Sequence, residues 1–511
     1  MRKRIVVMLG GAMYALFAAF GFQAERFGES RPLAGLIAAV LLWPIFSGVL
    51  ALLLKRSARQ TERKQGKFSP IKVFWAILAC YVPMLLITFP GSFAYDVPFQ
   101  LEQVFTGQYS THHPLLHTML MGSLVKLGRS MGSINFGAVL YTIIQMMALA
   151  ACFACACASI ARQCGARTAG WSTIFFAVYP LHMMMAVNAT KDVLFSGLFV
   201  LTLALAREAL AMGMNRRLGA GLVLSGAGMM LLRNNALYAV AAFIVLLALI
   251  RGSKGLRVCI AMLLAAALCV GANGLMKRAT HAVDGSPSEM LSWPIQQMTR
   301  ARNLCGDQLE GWEKQAINEL MPDASWSNYM PTISDPVKFD FDAERLLSDP
   351  AKYVKAYVSI GLKCPKVYFD ALLMHTYSFW YPYSRYNVAG YYLQMGVSDE
   401  HYDWCSFERI TSESLLPSLL SALSWRFGAK GAMQIPVVGW LFNMGVIVWL
   451  MLYFVIREAY YGRWNGFACA LLPVLLWGTF LLGPVMAGRY IYPFVCCLPV
   501  LASHINENNR L

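Results

Sequence analysis

Five short polar segments interrupt a chain that is otherwise mostly apolar, and they hold the residues whose types could do chemistry. The first, PGSFAYDVPFQLEQVFTGQYSTHHPLLHT (residues 90–118), begins where an apolar run ends. A carboxylate at Asp96 could take the proton from an attacking hydroxyl as a general base, or hold a divalent cation. The plain alternative is a loop aspartate that caps a helix. Glu102, His112, His113 and His117 follow it. His113 and His117 are four apart and would share a helix face. That spacing suits a metal pair, but no third clear ligand accompanies them, so no metal ligand is assigned.

The second segment, NATKD (188–192), lies between two apolar runs. Charges such as Lys191 and Asp192 are costly in lipid and face a cavity or each other. Lys191 suits a phosphate oxygen; otherwise the pair is a local ion pair in a hydrated turn. In LLRNNALY (231–238), Arg233 suits a phosphate or carboxylate, and Asn234 and Asn235 need polar partners. Its alternative is a snorkelling arginine in a tight hairpin. In GPVMAGRYIYP (483–493), Arg489 stands alone among apolar and aromatic residues beside Tyr490. It suits a phosphate, or an anchor at the lipid interface. In WPIQQMTRAR (293–302), Gln296 and Gln297 could hydrogen-bond sugar hydroxyls and Arg300 could bind an anion. A helix start with Pro294 in its first turn explains the same residues without a ligand.

The elements that must position these groups are membrane helices. Hydrophobic residues make up 58% of the 511 and charged residues 14%, far from the balance of a soluble domain. Apolar runs long enough to cross the hydrocarbon core recur, and about twelve are expected. They lie near 5–22, 33–54, 72–90, 134–160, 170–187, 193–211, 218–232, 235–250, 256–275, 435–456, 466–483 and 488–503. Residues 114–127 (PLLHTMLMGSLVKL) are too short to span and are expected at the interface. With that choice, lysines and arginines concentrate in alternate loops such as KRSARQTERKQGK, which places both termini in the cytoplasm. The net charge of +16 then reflects topology rather than binding to nucleic acid. All five polar segments fall beside the non-cytoplasmic face.

The expected class is an all-α polytopic membrane protein with interfacial helices and a small, mostly helical extracytoplasmic domain. Residues 1–275 form the N-terminal transmembrane module, 276–434 the domain and 435–511 the C-terminal transmembrane helices. Of the 13 cysteines, Cys305, Cys364 and Cys405 fall in the polar region. Two of them could pair in an oxidising compartment, and spacing does not say which two.

With these segments in place, the chain resembles the GT-C superfamily of integral-membrane glycosyltransferases, and is most similar to an uncharacterised bacterial branch. The matching pieces are PGSFAYDVPFQ…HHPLLHT, NATKD, LLRNN, WPIQQMTRAR, SDPVKFD and GRYIYP. The resemblance implies a GT-C-like fold in the bacterial inner membrane. It also implies transfer of a sugar from a polyprenyl-phosphate donor to an extracytoplasmic glycan, lipid or protein acceptor. Asp96 occupies the place of the catalytic acidic residue, and inversion at the anomeric carbon is expected. Lys191, Arg233 and Arg489 are the candidates to hold the lipid phosphate. Glu102, His112, His113, Asp192, Asn234, Gln296, Gln297, Arg300 and Tyr490 complete the candidate substrate-binding set. A single Asp replaces the adjacent acidic pair, so no tightly bound metal is expected, and a divalent cation stays open. Two rival readings are a lipid flippase or transporter, and a membrane O-acyltransferase using His113 or His117 as base.

Overall fold

The computed structural model describes residues 1–57, 66–384, 395–397, 402–427 and 437–503. Parts of the 55–67 loop, of the 276–434 region and of the expected 435–456 span lie outside the described residues. The described chain is helical throughout, with isolated backbone bridges in place of strands. In order, the helices are α1 (Arg2–Phe27), α2 (Pro32–Arg56), α3 (Pro70–Thr88), α4 (Val97–Thr106), α5 (Leu115–Ser130), α6 (Ile134–Cys164), α7 (Ala166–Val178) and α8 (Pro180–Ala186). Next come α9 (Lys191–Met212), α10 (Arg216–Leu232), α11 (Asn235–Arg251), α12 (Leu256–Thr280), α13 (Ser292–Leu304), α14 (Gly311–Leu320), α15 (Asp335–Lys338) and α16 (Ala343–Ser348). The last six are α17 (Pro350–Lys363), α18 (Pro365–Thr376), α19 (Pro417–Phe427), α20 (Met444–Tyr461), α21 (Trp464–Leu481) and α22 (Tyr492–Ala502).

Nine helices among the described residues are long and apolar enough to cross a membrane, so the chain is a multi-pass membrane protein. The expected number of spans was higher, and the difference has local causes. The apolar run 170–187 breaks into α7 and α8 at Pro180, which cannot donate its backbone amide to a continuing helix. The run 218–232 becomes α10, of 17 residues. The last run opens as a 3-10 turn at Gly488–Ile491 and yields only the 11 residues of α22. The 114–127 segment forms α5, of 16 residues, which is short of a span.

Helix α9 is the axis of the bundle. Of its most apolar stretch, 83% is buried, against 17% for α2 and 28% for α11. It packs against α6, α10 and α22, and it begins at Lys191, so the NATKD charges enter the bundle at its centre. Helix α22 is fixed at its far end. Arg207 donates to the Ser503 carbonyl (3.1 Å) and the Val500 carbonyl, and Arg457 to the Ala502 (3.0 Å) and Leu501 (2.6 Å) carbonyls. These carbonyls lack partners inside the helix, and two arginines satisfy them. Arg2 lies over the Trp464 ring (5.9 Å) at this same end. The start of the chain and Ser503 therefore share one end of the bundle, and Asp96 lies at the other.

Over the Asp96 end sits a helical layer with its own core, including Ile295, Ile317, Trp326, Val337, Ile360 and Tyr368. It is tied to the bundle at two places. On α18, Asp370 accepts from the Ser30 amide (2.7 Å), and Phe369 meets the Phe20 ring of α1 edge-on. Loop 330–334 pairs with the GPVMAGRYIYP segment: Ser334 donates its amide to the Pro484 carbonyl (2.9 Å) and Ile333 bridges to Val485. His375 adds a bond from Nε2 to the Gly483 carbonyl (2.7 Å). The layer thus grips the loop that carries Arg489.

Candidate functional site

The first requirement for a site is that α3 deliver Asp96 to the mouth of α9. Past the Thr88 end of α3 the chain turns through Gly91, whose φ of 138° and whose proximity to Thr142 leave no room for a side chain. The Ser92 amide then donates to the Val187 carbonyl, and the Ala189 amide to the Ser92 carbonyl, both at 2.8 Å. This stitch lays the PGSFAYD segment directly beside NATKD.

Asp96 stands at the N-cap position of α4, yet its side chain makes no capping hydrogen bond. The plain reading of a helix-capping aspartate therefore does not describe its carboxylate. Lys191 Nζ donates to Asp96 Oδ2 at 3.0 Å, and Arg489 donates to the same oxygen at 3.4 Å. Lys191 Nζ also donates to His113 Nδ1 at 3.3 Å. That bond uses the Nδ1 lone pair and leaves the ring proton on Nε2. Burial would raise the Asp96 pKa, but the Lys191 and Arg489 charges outweigh it and hold the carboxyl well below its ordinary range. Burial, reinforced by Lys191, pushes His113 well below the usual histidine value, so His113 is a neutral donor.

A second carboxylate lies deeper. Asp192, in the first turn of α9, is 1% exposed against 27% for the Asp96 side chain. Arg233 pairs with it directly, and Arg489 Nε stands 3.5 Å from its other oxygen. The Arg233 guanidinium lies over Phe480 (4.3 Å) and Tyr490 (4.4 Å). That of Arg489 lies over Tyr95 (4.7 Å) and Tyr490 (5.4 Å). Aromatic faces stabilise desolvated cations. The cluster holds two carboxylates, three cations and a neutral histidine, leaving one positive charge in excess beside its more exposed carboxylate.

A buried relay connects the two segments from behind. Gln100, one turn beyond Asp96 on α4, places Oε1 2.6 Å from His117 Nδ1. His117 Nε2 is 2.8 Å from the Tyr141 hydroxyl, which donates to Gln145 Oε1 at 2.8 Å. Gln145 Nε2 donates to the Ala186 (3.0 Å) and Asn188 (2.9 Å) carbonyls. Burial and the nearby Lys191 charge push His117 down to about 3.

The structure thus gathers Asp96, His113, Lys191, Asp192, Arg233, Arg489 and Tyr490 from four separate segments. The other expected residues are placed elsewhere. Glu102 accepts from the Ser406 amide (2.8 Å) and hydroxyl (3.0 Å) and anchors that segment to α4. His112 borders the cluster through its ring contact with His113 and stands 3.9 Å from Glu289. At LLRNN it is Asn235, rather than Asn234, that binds Arg233 (3.2 Å) and passes the contact to Thr479 (3.1 Å). The α13 residues bond to backbone carbonyls within the outer layer and at the end of α1. Gln296 donates to the Met330 carbonyl (2.9 Å), Gln297 to the Tyr368 carbonyl (3.2 Å), and Arg300 to the Gly28 carbonyl (3.2 Å).

Tyr95, Gln100, Tyr141 and Gln145 belong to the site's surroundings and were not singled out in the sequence. For Tyr141 and Gln145 a signal existed, since polar residues four apart on an apolar helix require partners. Among the described residues, no three His, Cys, Asp or Glu side chains are grouped to hold a metal ion; side-chain cations meet the Asp96 and Asp192 charges instead.

A family model described as "Family of unknown function (DUF6020)" matches residues 105–510, and the chain belongs to that family. The match starts beyond Asp96 and takes in His113, Lys191, Asp192, Arg233 and Arg489. No curated protein and no solved structure matches the chain.

Proposed function

We propose that this DUF6020 member is a membrane glycosyltransferase of the GT-C type. It moves a sugar from a polyprenyl-phosphate donor to an acceptor hydroxyl on the extracytoplasmic side of the bacterial inner membrane. The observation that carries this reading is the shared position of Asp96 Oδ2 between Lys191 and Arg489. A carboxylate so neutralised is a weak base. A lipid phosphate entering the cluster would compete for the same two cations and draw them away. Loss of those contacts raises the Asp96 proton affinity at the moment a base is needed. Asp192 stays neutralised by Arg233, so the two carboxylates keep separate tasks.

In the reaction, the acceptor oxygen attacks the anomeric carbon while its proton passes to the Asp96 carboxylate. The bond from the anomeric carbon to the phosphate oxygen breaks, and polyprenyl phosphate leaves with the electron pair. Lys191 and Arg489 stabilise the charge that develops there, with His113 Nε2 as a further donor. A single displacement of this kind inverts the anomeric centre. The acyltransferase reading has less support, because His117 has both ring nitrogens engaged and His113 accepts from an ammonium group. A flippase would need its polar groups near the bilayer midplane, whereas these gather at helix ends.

The test offers purified protein in nanodiscs a panel of polyprenyl-phosphate sugars, together with a cell-envelope extract as acceptor source. Release of polyprenyl phosphate with one donor is expected. No release across the panel, with intact donor recovered in the opposite leaflet, would favour the flippase.

A further inference from the structure

We propose that Cys305 and Cys364 form a disulfide in the mature protein. The pair is defined by the fold of the outer layer. Cys305 ends α13 and opens the turn Gly306–Gln308, and the Gln308 amide donates back to the Cys305 carbonyl at 2.9 Å. Cys364 forms the corner between α17 and α18, and its thiol faces Gln308 Oε1 at 3.9 Å. The Cys305 and Cys364 thiols are neighbours, and both are free in the structure. Cys405, the third cysteine of the polar region, packs in a different cluster with Leu101 and Phe407 against α4. Geometry thus selects one pairing from the three that the sequence allows.

The bond would staple the end of α13 to the α17–α18 corner. Gln297 already joins these elements through Tyr357 and Tyr368, and α18 carries the layer's link to Ser30. Both thiols are nearly buried, at 7% and 4% exposure. Oxidation therefore belongs to the folding of the layer, before its core closes, and the finished bond is shielded from reductants. The oxidant is the disulfide of a thiol–disulfide exchange protein. One cysteine thiolate attacks it and expels a donor thiolate, and the second cysteine thiolate then attacks the mixed disulfide. Two protons and two electrons leave the pair, and the donor becomes a dithiol.

This inference rests on the extracytoplasmic placement in the proposed function, since such bonds persist in oxidising compartments. The full chain is expressed in a bacterium with an oxidising periplasm. Cells are quenched with acid, and free thiols are blocked with N-ethylmaleimide under denaturing conditions before digestion. The expected product is one linked peptide pair joining Cys305 to Cys364, about 2 Da below the two thiol peptides combined. Cys405 is expected to carry maleimide. Reductant should lower the thermal midpoint of the wild type and leave that of Cys305→Ser/Cys364→Ser unchanged.

Recovery of both cysteines carrying maleimide would overturn the pairing. A parallel arm then separates the causes. Exposed Ser348 is replaced (Ser348→Cys) and intact spheroplasts are treated with a membrane-impermeant maleimide. Labelling with no disulfide overturns the pairing alone, and absence of labelling overturns the sidedness on which the proposed function also stands.

Discussion

Lys191 Nζ donates to Asp96 Oδ2 at 3.0 Å although the two residues lie 95 positions apart. The contact exists because the Ser92 and Ala189 backbones are stitched together, so it is a property of two loop conformations rather than of flexible side chains meeting in solvent. The consequences can be measured.

Acid stability should report the buried histidines. His113, His117 and His375 are pushed below their ordinary value, chiefly by burial. Below the ordinary histidine pKa of 6.5 the unfolded chain binds more protons than the folded one, so stability falls as pH falls. Each such histidine contributes a slope of about 1.4 kcal/mol per pH unit in that window. Asp96 does not contribute there. Its folded pKa is depressed, so its stabilisation is complete above the unfolded value of 3.8 and is lost only below it. The thermal midpoint in nanodiscs should therefore drop between pH 7 and pH 5, and His117→Gln should flatten the drop. An unchanged slope in His117→Gln would contradict the assigned burial.

Asp192→Asn should damage the protein more than Asp96→Asn. It leaves Arg233 and Arg489 facing a neutral group in a place where Asp192 is 1% exposed. Removing one partner of a buried pair costs about 3–5 kcal/mol. Loss of folded yield is expected by size-exclusion profile, with partial recovery in Asp192→Asn/Arg233→Gln. A well-folded single variant would show that water reaches Asp192.

Tyr141→Phe removes the central hydroxyl of the relay and strands His117 Nε2 and Gln145 Oε1. A buried unsatisfied group costs about 1–3 kcal/mol. Because the relay runs from Gln100 behind Asp96 to the Asn188 carbonyl before Lys191, polyprenyl-phosphate binding should weaken along with stability. Arg300→Gln, which breaks the bond from the outer layer to Gly28 at the end of α1, should lower stability and leave that binding unchanged.

Much of this site was legible before the fold was known, for one physical reason. A charge in an apolar chain is costly, so Lys191, Asp192, Arg233 and Arg489 announce themselves by their surroundings. The pairing was not legible, because nothing local says that Lys191 turns to Asp96 while its neighbour Asp192 turns to Arg233. The same logic overreached at Gln296, Gln297 and Arg300, where polar side chains meet backbone carbonyls between layers. At Asn234 and Asn235 the choice fell one residue away, since which of two neighbours faces the bundle depends on where α11 begins. The span count suffered at Pro180 and Gly488, where hydropathy continues and the helix does not. For the cysteines, spacing was silent and the tertiary corner at Cys364 decides.

The most direct measurement compares wild type with Asp96→Asn, using polyprenyl-phosphate release for turnover and a direct binding isotherm for polyprenyl phosphate. Turnover should fall by about 10²–10⁴-fold in Asp96→Asn, as expected for loss of a general base. Binding should be retained or tightened, because Lys191 and Arg489 lose their resident carboxylate. Equal turnover in the two proteins, or binding that weakens in parallel with turnover, would contradict Asp96 as the base.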